Sequence, residues 1–135
     1  MSRNAEIALF VMRVALGIVF FAHGLQKVQG IDGVVESFGK MGFPGGMAYL
    51  VTGIEFLGGI CLVLGLGTRI ASGLIIFVML GAIFKVKLSA GFLGGYELDF
   101  VLLCMSIGLL ISGNKMWSLE QLLLQRQAPL KESTN

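Results

Sequence analysis

The sequence predicts an all-α membrane protein, an antiparallel bundle of four transmembrane helices with a short interfacial helix between spans one and two. Two observations carry this. First, the 135 residues are 56% hydrophobic and only 13% charged, with a mean hydropathy of +0.87; a soluble domain this small needs a far larger polar shell. Second, the apolar residues fall into four runs of about 20 residues, each long enough at 1.5 Å per residue to cross a hydrocarbon core of about 30 Å. A net charge of +2 and two isolated cysteines argue against a nucleic-acid binder, a disordered chain and a disulfide scaffold.

The first run covers roughly 6–27 and is interrupted by Arg13 and His23. It carries Glu6 and Arg13 inside the apolar run, so it reads as a span and not a signal peptide. Next, Ile31, Val34, Val35, Phe38 and Met41 recur at helical spacing, with Asp32, Glu36 and Lys40 on another face; this is a helix lying in the interface. Phe43-Pro44-Gly45-Gly46 then turns the chain into the second run, 47–66, interrupted only by Glu55. Gly65-Leu66-Gly67-Thr68-Arg69 is too short to do anything but join antiparallel neighbours. The third run is 69–88 and the fourth 96–114, with Gly91 to Gly95 between them. Trp117 suits an interface anchor, and Ser118 to Arg126 reads as a brief amphipathic helix within a polar tail, 118–135. Counting Arg3, Arg69, Lys115, Arg126 and Lys131 against Lys27, Lys40, Lys85 and Lys87 favours cytoplasmic termini by a narrow margin.

An ionisable side chain at the centre of a span costs about 2.5–3.5 kcal/mol, so it is kept for a partner or a function. Arg13 lies roughly 10 Å from one surface and Glu55 roughly 12 Å from the other, a depth gap under about 10 Å that two long side chains can bridge. This predicts an Arg13–Glu55 ion pair, which either fixes helix register or belongs to a site. Gly58 and Gly59 on the Glu55 helix, and Gly17 and Gly24 on the Arg13 helix, permit close packing around it. They also permit association between subunits, so a homo-oligomer is open.

The topology gathers a second cluster at one surface: His23, Lys27, Lys85, Lys87, Tyr96, Glu97 and Asp99. An imidazole that titrates near neutrality, cations for a phenolate oxygen and carboxylates to take protons would suit a binding mouth. The alternative is that the lysines simply reach the interface and pair with Glu97 and Asp99. One histidine cannot build a bis-histidine haem or a facial-triad iron site in one chain. Cys61 and Cys104 differ in depth by about 9 Å and form no disulfide, reading as small buried hydrophobes. No dinucleotide, Walker A, nucleophile-elbow or zinc motif is present. Any redox chemistry must therefore use a lipid-soluble substrate as electron carrier, or a partner that brings the cofactor.

Arg13-x-x-x-Gly17-x-x-Phe20-x-x-His23-Gly24-x-x-Lys27, Phe43-Pro44, Glu55-x-x-Gly58-Gly59-x-x-Leu62-x-x-Gly65-Leu66-Gly67-Thr68-Arg69 and Gly94-Gly95-Tyr96-Glu97 resemble the DoxX family of small four-helix membrane proteins. The resemblance extends from span one to span four and is closest to a branch linked to catechol and hydroquinone resistance. It implies a cell-membrane component of a quinone- or catechol-linked oxidoreductase system, working beside a soluble dioxygenase or redox enzyme. The family's signature positions fall on Arg13, His23, Lys27, Glu55, Arg69 and Glu97. On this reading His23, Lys27 and Glu97 are catalytic, Tyr96 and Arg69 bind substrate, and Arg13 and Glu55 form the structural pair. No cofactor or metal site is expected; quinone enters as substrate. A non-redox transporter of aromatics and a scaffold for a soluble enzyme remain alternatives.

Overall fold

The computed structural model describes residues 2–113 and 118–132. Among these the chain is helical almost throughout: α1 (Arg3–Gln29), α2 (Ile31–Lys40), α3 (Gly45–Leu64), α4 (Thr68–Gly81), α5 (Glu97–Ser112) and α6 (Leu119–Glu132). Below Gly81, α4 continues as a π-helical turn, Ala82–Lys87, and a short 3₁₀ turn, Leu88–Ala90. Four segments are long and apolar enough to span a bilayer: Arg3–Gln29, Gly45–Leu64, Thr68–Ala90 and Phe92–Ser112. Neighbouring spans run antiparallel, α1 on α3, α3 on α4, α4 on α5, and α5 back on α1. Both ends of the bundle segment therefore emerge on one face, and α2 and the α4–α5 connection lie on the other.

Sequence details explain the boundaries. The hydroxyl of Ser2 accepts the Ala5 N–H and caps α1. α3 stops at Leu64, two residues before the expected end, because Gly65 takes a left-handed conformation at φ 74°; its own position is also tight, with Ser118 packed where a Cβ would stand. α2 follows α1 after the single residue Gly30, has no buried residue and packs on α3, as an interfacial helix would. α6 runs well beyond the short helix expected there. Trp117 and Lys115 lie outside the described residues.

Large apolar side chains lie on the outside of the bundle as well as in its core, as helices long and apolar enough to span a bilayer allow. Ile70 and Ile111 are each 74% exposed, while much of the interior is polar or small. α1 and α3 meet along a glycine seam: Gly59 packs on the backbone of Phe21, and a Cβ on Gly24 would come within 2.5 Å of the Phe56 nitrogen. Small residues let two backbones approach where dispersion, not hydrophobicity, holds helices together. Phe21 and Phe56 stack beside the seam, ring centres 5.3 Å apart. Further along, Leu16, Phe20, Leu62, Ile75 and Leu109 are at most 1% exposed and close the middle of the bundle.

A buried lysine–glutamate pair as the candidate functional site

Cβ bonds on a helix tilt toward its N-terminus. In an antiparallel pair, a long side chain near the end of α1 therefore leans back into the bundle, and one in the middle of α3 leans toward it. Lys27 and Glu55 stand in this relation, and their Nζ and Oε2 atoms are 2.7 Å apart. The Glu55 side chain is only 6% exposed and Lys27's is 29%. Glu55 sits at the midpoint of α3, about 15 Å from either end, and Lys27 reaches it from the last turn of α1.

The same tilt corrects the expected Arg13–Glu55 pair. Arg13 leans the other way, toward the start of α1, and its Nε donates to the Leu62 carbonyl at 3.0 Å, two turns along α3 from Glu55. Its guanidinium also lies 5.2 Å from the Phe10 ring centre. Leu62 is in the last turn of α3, where carbonyls lack helical donors, so a cation there satisfies an orphan acceptor and the helix dipole together. Arg69 does the same for α5, donating to the Ile111 carbonyl at 3.2 Å.

The other expected residues are placed as follows. His23 is exposed on α1. It lies about 200° around the helix from Phe21 and follows the stripe Leu16, Phe20, Lys27, one turn before the lysine. Glu97 is also exposed, and its Oε1 accepts the Gly94 N–H at 3.1 Å, tying down the glycine turn before α5. His23, Lys27 and Glu97 therefore form no single contact set: Lys27 is joined to Glu55, and Glu97 to its own turn. Tyr96 packs edge-on against Phe92, ring centres 5.4 Å apart, and stands at the opposite end of the α4–α5 hairpin from Arg69. Those two residues cannot share one ligand, being roughly 27 Å apart in depth. Lys87 pairs with Asp99 at 2.9 Å, the Asp99 side chain 8% exposed and that of Lys87 43%; Lys85 is exposed.

Some features were not foreseen. The hydroxyls of Thr52 and Ser72 are buried without a hydrogen-bond partner among the described residues. Thr52 stands three residues before Glu55, on the same helix face, which is the signal that could have found it. Both cysteines are free, and neither is buried as expected: Cys61 is half-buried and Cys104 exposed. An apolar groove of about 610 Å³ runs along the outside of the α3–α4 pair, from Tyr49 to Gly67, and not beside His23 and Glu97.

Comparison with known proteins agrees with this architecture. The chain is 42% identical over 120 residues to "Putative oxidoreductase CatD" of Bacillus subtilis (strain 168), an alignment covering 89% of this chain and 90% of that one. It is 33% identical over 135 aligned positions to "Uncharacterized membrane protein Rv3486" of Mycobacterium tuberculosis, covering 88% and 83% of the two chains. "Inner membrane protein YqjF" of Escherichia coli (strain K12) is 33% identical over a shorter stretch, about half of each chain (51% and 53%). No solved structure matches significantly. The DoxX family model matches residues 8–88, which hold the Arg13, Lys27–Glu55 and Gly17/Gly59 features just described, and the chain belongs to the DoxX family.

Proposed function

We propose that this protein is the cell-membrane component of a quinone- or catechol-linked redox system, and that the Lys27–Glu55 pair is its acid–base centre. The observation that carries the reading is the pair itself: a carboxylate 6% exposed at mid-span, bonded to a lysine that keeps 29% of its side chain accessible. A diphenol that becomes a quinone releases two electrons and two protons. Glu55 is the base that can take a proton at the depth where a lipid-soluble ring resides, and Lys27 is the cation that holds a phenolate oxygen. His23, one turn before Lys27 on the accessible flank of α1, is the second polar group such a ring meets on entering from the lipid. The electrons pass to or from a soluble redox partner. Similarity to a protein named as an oxidoreductase supports the reaction class.

A transporter would need a polar path through the bundle. The Leu16, Phe20, Leu62, Ile75 and Leu109 layer, at most 1% exposed, counts against one. The partner's docking face is α2, whose Asp32, Glu36 and Lys40 are exposed.

The test is titration of the protein in nanodiscs with a short-chain benzoquinone and with catechol, followed by ultraviolet difference spectra. Saturable binding is expected, weakened about tenfold or more in Lys27→Met and Glu55→Gln, a loss of at least ~1.4 kcal/mol. Absence of saturable binding, or full affinity in both variants, contradicts the proposal.

A further inference from the structure

The outward face of α1 carries a repeat that packing within the chain does not use. Ala8, Ala15, Ala22 and Gln29 follow one another at seven-residue intervals, with Val11, Ile18 and Leu25 between them at the three- and four-residue steps of a heptad. All of these residues are exposed. They centre about 180° around the helix from the buried Arg13, Leu16 and Phe20. On α4 the outward residues Ile70, Phe77 and Phe84 also recur every seven positions, but all three are large. On α1 small alternates with large: the alanines leave holes, and Val11, Ile18 and Leu25 are knobs of a size to fill them.

In lipid no hydrophobic force presses helices together, so association needs close backbone approach or hydrogen bonds between side chains. This face supplies both. A strict seven-residue repeat drifts about 20° per heptad around a straight helix, and a crossing angle of about 20° takes up that drift, so the seam can meet a parallel neighbour along its whole length. From Ala8 to Gln29 that length is roughly 32 Å. The hydrogen bond comes at the end of the helix. Gln29 is the polar member of the repeat, and Gln26, three residues before it, flanks the seam; neither amide side chain has a hydrogen-bond partner among the described residues. An amide donates and accepts at once, so on a two-fold axis it is complementary to itself, and a lone polar residue in an apolar seam fixes one register. A second α1 brings the matching amide to that level by identity.

We infer that the protein pairs with a second copy of itself through α1, the two α1 helices parallel, in register and crossing left-handedly. Ala8, Ala15 and Ala22 face their equivalents, and the two Gln29 amides bond to each other. Copies inserted the same way round are related by a two-fold axis along the membrane normal, which makes the contact isologous and closes it at two. His23 and Lys27 lie about 100° and 140° around α1 from Ala22, so the seam covers neither. The pairing is therefore independent of the acid–base centre proposed above, and either can fail alone.

The first test is made in cell membranes, where all copies share one orientation. In a chain carrying Cys61→Ser and Cys104→Ser, single cysteines are introduced by Ala15→Cys, by Ala22→Cys and, on the outward face of α4, by Phe77→Cys. Each is oxidised with copper phenanthroline and read on a denaturing gel. Facing seam positions bring their Cα atoms within the span of a disulfide, so the two α1 variants are expected to cross-link at least about tenfold faster than Phe77→Cys. Single-molecule photobleaching of labelled protein in vesicles, at falling protein-to-lipid ratio, then gives the dissociation constant of the pair. Ala15→Phe combined with Ala22→Phe fills the holes and is expected to raise that constant at least about tenfold. Phe77→Ala, a surface change away from the seam, is expected to leave it within about twofold. All three positions are exposed, so an unchanged unfolding temperature is expected, and the cross-linking decides without these variants. Cross-linking of Phe77→Cys as fast as Ala15→Cys, single-step bleaching at every ratio, or an unchanged constant in the folded double variant overturns the inference.

Discussion

The two hairpins of the bundle, α1 with α3 and α4 with α5, solve the same electrostatic problem to different depths. In each, an arginine on the first helix donates to a carbonyl near the end of its partner: Arg13 to Leu62, Arg69 to Ile111. In each, a lysine near the end of the first segment pairs with a carboxylate on the second: Lys27 with Glu55 at 2.7 Å, Lys87 with Asp99 at 2.9 Å. The difference lies in the seam. Gly17, Gly24 and Gly59 bring the α1 and α3 backbones into contact, and the charge pair beside them sits at mid-span. The α4–α5 hairpin has no comparable seam and passes through a π-helical turn; its pair stays in the first turn of α5. Close backbone approach holds the Glu55 carboxylate, 6% exposed, at mid-span, which makes the first pair both costly to break and chemically useful.

The largest effect expected is steric. Gly59→Val inserts side-chain atoms into the Phe21 backbone, and overpacking here exceeds the usual range of about 1–3 kcal/mol because no flexible side chain can yield. Thermal unfolding in detergent is expected to show little folded protein, while Gly73→Val on the second hairpin, where a Cβ meets nothing closer than 4.0 Å, unfolds near the wild-type temperature. Equal damage from both would erase the contrast between the seams.

Breaking the charge pairs comes next. Lys27→Met leaves Glu55 uncompensated at mid-span and is expected to cost about 3–5 kcal/mol, whereas Lys87→Met strands Asp99 in the first turn of α5, beside a lysine site that is 43% exposed, and is expected to cost less, about 1–3 kcal/mol. The exchange of Lys27 and Glu55 in a double variant recovers part of the loss; the exchange of Arg13 and Glu55 recovers none. Recovery by the second exchange would restore the pairing expected from the sequence.

The smallest effect separates the two arginines. Arg13→Met removes a donor that is 2% exposed and is expected to cost about 1.5–3 kcal/mol, the range for a hydrogen bond to a charged group. Arg69→Met removes an exposed one and costs under about 1 kcal/mol. Chemical denaturation in detergent ranks them, and an equal or reversed ranking would mean that burial does not distinguish the two ends of the bundle.

The four spans and the interfacial helix are legible in the sequence because hydrophobic period and length respond directly to a slab of hydrocarbon. Charge partners are less so. Depth counting placed Arg13 and Glu55 within reach, but the tilt of helical side chains turns Arg13 down toward Leu62 and Lys27 down toward Glu55. Lys27, read as part of a surface mouth, is thereby drawn into the interior. Lys87 with Asp99 followed the simpler rule that lysines near a span end pair locally. His23 and Glu97 share a surface in the topology, yet Glu97 is held by its own turn at Gly94. Thr52 could be read from its place three residues before Glu55 on one helix face, whereas only packing reveals that the Ser72 hydroxyl is buried.

The Lys27–Glu55 contact is the claim on which the site rests. Solid-state magnetic resonance on protein in lipid bilayers, with ¹⁵N at the Lys27 Nζ and ¹³C at the Glu55 carboxyl carbon, measures it directly. A separation within about 4 Å, as in any ion pair, is the predicted result; a separation beyond about 6 Å, or the same label on Glu55 reporting instead on the Arg13 guanidinium, would contradict it.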